Sequence, residues 1–392
     1  MTTARIGLIL GVGAMFLLGC ASSPQRAALP RTGDPILDGW LAITNGPREA
    51  RVLWQYRTAL EYLRRGESTQ AATLFDETLA VLQGRFGKNA GARRSRSLFS
   101  RESVKPFIGE PYERAMAFYY RGLLYWEEGE LDNARACFRS AQLEDSDSET
   151  KAFANDYVLL DYLDGLASFR LNGRGEDAFL RATDSARLVI PPPYESIGNV
   201  LFFTEYGQAP EKYAVGEFKE KLKFRDGGST AIEMILRTKQ QAIHLGAMDD
   251  LAFQSSTRGG RLMDHVLHNK AVFKRGANVV GDVAVVSGLI LAQNRRTQDA
   301  GLGLAAFGLV SKIVSAATTP RADIRTWDNL PKFLGFGAIH QPPGEQQVSV
   351  EFLNDQREVL PEMTQSMTIQ VNQPPRDTVV FVSQFQNNPS RL

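Results

Sequence analysis

Cysteine is nearly missing from this sequence: Cys20 and Cys137 are the only two in 392 residues. A disulfide framework is excluded, so a hydrophobic core must hold the fold. Histidine is also scarce, with four residues, and only His265 and His268 lie close together, beside Asp264. On a helix that spacing sets both rings near one face, where they would supply two metal ligands. No third ligand follows at a recognisable interval, and we read the pair as solvated or packed between helices. Charge of one sign is missing too, with 45 basic side chains against 44 acidic ones. That balance argues against nucleic acid or an anionic surface as the main partner. No charge-free apolar stretch reaches the roughly 18 residues of a membrane span. Nucleotide and hydrolase signatures are lacking as well. The run from Gly301, GLGLAAFG, has no third glycine in register and no βαβ context, and neither a G-x-S-x-G elbow nor a P-loop lysine occurs. The adjacent acids Glu127-Glu128 and Asp249-Asp250 diverge on a helix or strand, so no paired-carboxylate site is read from them. No catalytic residue, cofactor or metal is expected.

What is present begins at the N-terminus. Arg5 precedes an apolar run from Ile6 to Leu18, too short for a comfortable span, which reads as an export signal. It ends in Leu17-Leu18-Gly19-Cys20, which resembles the lipobox of bacterial lipoproteins, although Leu18 departs from the small residue commonest there. The resemblance implies cleavage after residue 19 and lipid on Cys20. Ala21 matches the pattern of lipoproteins sent to the outer membrane, facing the periplasm. An ordinary cleaved signal and an uncleaved anchor are the competing readings. Each buried acyl methylene adds about 0.8 kcal/mol of membrane affinity, so several chains on one cysteine hold without a transmembrane helix. Residues 20–35, rich in Ala, Ser, Pro and Arg, read as a flexible tether. Cys137 reads as a buried thiol of low reactivity.

Residues 36–190 carry helical periodicity. The clearest unit is residues 107–142, a helix-turn-helix with Gly122 and Tyr125 on the first helix, Gly129 opening the turn, and Ala134, Phe138 and Ala141 on the second. The same pattern recurs 63 positions earlier, at Ala59, Tyr62, Gly66, Ala71, Phe75 and Thr78. A weaker third copy, 44 positions later, keeps Phe169, Gly173 and Ala178. Three such units predict an irregular tetratricopeptide-like solenoid whose concave face would bind a protein. Tyr62, Tyr119, Tyr120, Arg121 and Trp126 are the partner-binding candidates, with packing inside the array as the alternative role. Between the first two units, residues 85–105 carry seven basic side chains against Glu102 and read as a solvated loop, or else a docking site for phosphate-bearing lipid or an acidic partner. The acidic junction from Glu144 to Glu149 reads as a solvated turn.

The pattern changes near residue 190, where three prolines end the last helix and a domain boundary is placed. Residues 191–392 predict an α+β domain. Strands are expected at 199–206, 213–225 and 247–254, with a helix at 230–242. Two glycine-spaced apolar helices are expected at 261–293 and 299–318, packed inside the domain, or else touching a membrane or another copy. Strands at 333–340, 346–353, 365–371 and 378–385, separated by proline and Asn-Asp breaks, suggest a small antiparallel sheet or sandwich.

Three blocks carry a more specific likeness: GEPYERAMAFYYRGLLYWEEGELDNAR at 109–135, GQAPEK at 207–212, and RADIRTWDNLP at 321–331. Together and in this order they resemble a family of bacterial lipoproteins with a tetratricopeptide-like N-terminal half and no assigned activity. Members of that family are often encoded beside lipoproteins similar to the curli secretion channel and to activators of penicillin-binding proteins. The resemblance implies an accessory of envelope assembly or secretion and brings no catalytic residues with it. The reading from sequence is therefore a lipid-anchored, non-enzymatic scaffold that binds envelope proteins through its helical repeats. A homo-oligomeric ring or pore component is the first alternative, and a peptidoglycan hydrolase the second.

Overall fold

The computed structural model describes residues 31–84, 105–146, 153–257, 321–386 and 390–391. Cys20, most of the tether, all but the last residue of the basic segment, the His265/His268 pair and both glycine-spaced apolar stretches lie outside the described residues.

Among the described residues seven α-helices come first: α1 (Pro35–Asn45), α2 (Arg51–Arg64), α3 (Ser68–Gly84), α4 (Pro111–Glu128), α5 (Leu131–Asp145), α6 (Val158–Asn172) and α7 (Glu176–Ser185). Their ends follow from local chemistry. Asp34 caps α1, accepting the Ile36 N–H at 2.8 Å. Helix α4 starts with Pro111 and a reciprocal capping box between Glu110 and Glu113, and stops at Gly129, whose φ of 85° is left-handed.

Among the described residues ten strands follow, with one short helix between them: β1 (Val200–Tyr206), β2 (Glu211–Val215), β3 (Lys221–Arg225), β4 (Glu233–Arg237), β5 (Ala242–Asp250), α8 (Leu251–Thr257), β6 (Phe333–Ile339), β7 (Gly344–Leu353), β8 (Val359–Val371), β9 (Thr378–Ser383) and β10 (Ser390–Arg391). Eight form one mixed sheet in the order β10-β9-β1-β6-β5-β4-β7-β8, and β2 and β3 form a separate hairpin. Strands β1 and β9 pair in parallel, and the other pairs are antiparallel. The sheet curls until β8 approaches β9, where Gln365 Nε2 donates to the Ser383 carbonyl at 2.6 Å.

Each face of the sheet has its own core. Val200, Phe202, Met234, Val350, Ile369 and Val380 fill the inside of the curl. Leu201, Phe203, Leu334, Phe336, Val379 and Phe381 face outward and join the core of the helices. Strand β1 is therefore buried at all seven positions, which explains its unbroken apolar run in place of alternation.

This arrangement corrects the expected fold. A solenoid of stacked repeats leaves a concave face to solvent, whereas here the helices form a layer against the protein's own sheet. Helix α4 buries 15 of its 18 residues. Its Tyr120 hydroxyl bonds Glu205 of β1 at 2.6 Å, and its Trp126 indole bonds Asp377 at 3.2 Å. Periodicity correctly marked helices and their close approach, since Gly122 leaves the space that Phe138 fills, but it carried no information about what lies opposite. The small antiparallel sheet or sandwich is corrected too: the strands belong to a large mixed sheet that also takes up β1, β4 and β5. Residues 230–242, expected as a helix, contain β4 and its turn into β5. Pairing on both sides with β5 and β7 overrides the local preference. Residues 213–225 form the β2–β3 hairpin, and 247–254 divide between β5 and α8. Glu144 and Asp145, expected in a solvated turn, are buried, and Glu144 pairs with Arg114 Nε at 2.6 Å.

Candidate functional site

The three sequence blocks meet in space around one carboxylate. Glu113, on the first turn of α4, is fully buried. One oxygen accepts the Glu110 N–H at 2.7 Å and lies 2.5 Å from Lys212 Nζ of the second block. The other accepts the Trp327 backbone N–H of the third block at 2.7 Å. Lys212 Nζ also donates to the Arg325 carbonyl at 3.0 Å and sits near the rings of Phe107 and Tyr112. The third block is further stitched to the helices. Arg325 bonds the Glu49 and Lys105 carbonyls, Asn329 bonds Glu61 and the Arg57 carbonyl, and Trp327 stacks on Tyr56 at 4.5 Å. In the second block, Gly207 takes a φ of 77° in a turn where a side chain would strike Lys332 and Ser229.

A second buried network lies alongside. Glu205 of β1 accepts from Arg64 Nε at 2.7 Å, Tyr120 at 2.6 Å and Ser383 at 2.6 Å. In both networks the charged groups are matched inside the body, where they tie separate elements together.

These contacts explain where the expected partner-binding residues went. Tyr119, Tyr120, Arg121 and Trp126 are buried, and Tyr62 is half-buried, accepting the Trp40 indole N–H at 2.7 Å. Arg121 pairs with Asp76 and Glu128. Cys137 is buried beside Phe138, and burial pushes its thiol up to about 12, consistent with an unreactive sulfur.

A cleft of about 550 Å³ opens where the helical layer meets one end of the sheet, and it combines an apolar wall with charged side chains; a second recess of about 560 Å³ lies over β4, β7 and β8. Trp126, Leu131 and Arg170 come from the helices, Ile197, Gly198 and Asn199 from the entry to β1, His340 from the end of β6, and Pro374 to Asp377 from the turn before β9. Its frame is fixed. Asp377 accepts from Arg170 Nε at 3.1 Å and from Trp126, and Arg170 Nη2 holds the Gly198 carbonyl at 2.7 Å. Burial raises the Asp377 carboxyl above its ordinary range, opposed by these two donors. His340 and Arg376 stand exposed at the rim. Sequence reasoning singled out Trp126 alone of this group. The others come from two further helices and from the segments that flank β1, β6 and β9, and share no periodicity.

Comparison with protein-family models, with curated proteins and with solved structures found no match to this chain. Among the described residues no group of three metal-ligating side chains occurs, and no helix is long and apolar enough to cross a membrane.

A smaller cavity of about 180 Å³ lies beside Asp249, Asp156, Arg187 and Phe253. Asp249 is an N-cap supplied from the sheet: its oxygens accept the Val158 and Leu159 N–H groups of α6 at 3.0 and 2.8 Å. Burial pushes its carboxyl up to about 7, helped by the like charges of Asp156 and Asp161 and opposed by the two N–H donors. Burial likewise raises Asp161 to about 6. Between its ordinary value near 3.8 and about 7, Asp249 holds a proton in the folded state that the unfolded chain has lost. Its contribution is therefore complete at low pH and falls as pH rises through that window. Denaturant titrations from about pH 4 to 7.5 should show that decline, and Asp249→Asn should flatten it, leaving the smaller part from Asp161.

Proposed function

We propose that this protein is a non-enzymatic accessory of the bacterial envelope, tethered through lipid on Cys20, which docks a protein partner at the cleft between its helices and its sheet. The observation that carries this reading is the division of polar groups. Glu113 and Lys212 of the sequence blocks are spent on each other inside the body, while the cleft keeps Arg376 and His340 exposed over an apolar wall. A rigid body with a preformed recess suits binding better than turnover. The lipobox and the likeness of the three blocks to envelope lipoproteins support the location. Repeat-mediated binding is withdrawn with the solenoid.

The test places a photoreactive side chain at position 340 of the full-length protein in intact envelopes. A discrete adduct with one other protein is expected, lost on Arg376→Glu and absent when the probe sits at exposed Gln356. Recovery of monomer alone contradicts the proposal, and a chain-to-chain adduct favours the homo-oligomer. Palmitate labelling, expected to disappear on Cys20→Ser, checks the tether in the same strain.

A further inference from the structure

Resting on the cleft as the docking face, we infer that it takes the free C-terminal carboxylate of a polypeptide, with the last side chain against the apolar wall. The charges decide the sign. Arg170 is committed to Asp377 and to the Gly198 carbonyl, so those two side chains cancel. Arg376 remains, so among the Arg and Asp side chains lining the cleft one positive charge is left over, which matches a monoanion better than a phosphate dianion. The Arg376 guanidinium donates one hydrogen bond, from Nη2 to the Glu127 carbonyl at the end of α4. Its other N–H groups make no hydrogen bond among the described residues, and a carboxylate accepts from such a planar group with charge-assisted bonds.

The wall argues for a chain end. Leu131, Pro374 and Pro375 line the same cleft as Arg376, and the two prolines offer no backbone N–H. A chain running on past an acidic side chain would bury peptide groups there without partners. A terminus brings one carboxylate and one side chain, and the cleft's 550 Å³ lies within the usual size of ligand pockets.

The test titrates the full chain by calorimetry with acetyl-Gly-Ala-Leu as the free acid, with the same tripeptide as its C-terminal amide, and with acetate. The acid is expected to bind, and the amide and acetate should each bind at least about tenfold more weakly. Arg376→Gln should weaken the acid by about as much. Because Arg376 is exposed, the variant should keep the wild-type circular dichroism spectrum. Equal binding of acid and amide, acetate as strong as the tripeptide, or no binding to the wild type would each overturn the inference. If the position-340 adduct persists after such a result, the docking face stands and only its carboxylate chemistry fails.

Discussion

Replacing Lys212 with Met is expected to destabilise the protein by about 3–5 kcal/mol, nearer the lower end. The substitution keeps the methylene stem and its packing against Phe107 and Tyr112, and removes the ammonium. Glu113 is then a fully buried carboxylate without its counter-charge, held by the Glu110 and Trp327 N–H groups at 2.7 Å each and more weakly by the Thr326 hydroxyl at 3.5 Å. Those donors keep the loss from being larger. Chemical denaturation followed by tryptophan fluorescence measures it, because Trp327 sits within the same cluster. A loss under about 1 kcal/mol, the value of an exposed pair, would mean that Glu113 and Lys212 are not held as described.

The second large effect is expected at Glu205. Removing its carboxylate by Glu205→Ala leaves the Arg64 guanidinium, only 5% exposed, facing the space that the anion filled, and strands the hydroxyls of Tyr120 and Ser383. Arg64 keeps Glu61 at 3.1 Å and the Asn329 carbonyl at 2.7 Å, which limits the cost to about 3–5 kcal/mol. Tyr120→Phe removes one hydrogen bond to a charged group and leaves the ion pair, so about 1.5–3 kcal/mol is expected. The ranking is the informative part: in denaturant midpoints at matched slopes, Glu205→Ala should fall well below Tyr120→Phe. The reverse order would show that the hydroxyl, and not the ion pair, joins α4 to β1.

Both predictions concern residues whose partners lie far away in sequence, and that distance set the limit of what could be read beforehand. Local chemistry was legible. Gly129 marked the end of α4, the strand expected at 346–353 fell within β7, and the proline break before Asp377 separated β8 from β9. The repeat at Ala59 and Gly122 reported real helix pairs, because small residues and aromatics satisfy helix-to-helix contact whatever lies on the far side. The sheet covering α4 was not legible. Its strands come from residues 200 to 383, and no periodicity in α4 distinguishes burial against a sheet from burial against another helix.

The blocks at 109–135, 207–212 and 321–331 were legible as separate patterns, and folding supplies their common meaning. Glu113, Lys212 and Trp327 are one contact. The cleft was the least legible feature, since Arg170, Asn199, His340 and Arg376 are brought together only once both layers are in place. A turn residue such as Arg376 gives no amphipathic pattern to detect.

The central claim, that the three blocks join the helices to the β2–β3 hairpin through one buried ion pair, is tested most directly by a double-mutant cycle on Lys212→Met and Glu113→Gln. Stability is measured for the wild type, both single variants and the pair. A coupling of about 1–3 kcal/mol is predicted, with the double variant losing clearly less than the two single losses together. Strict additivity would contradict it, because two residues that do not meet have no interaction to lose twice.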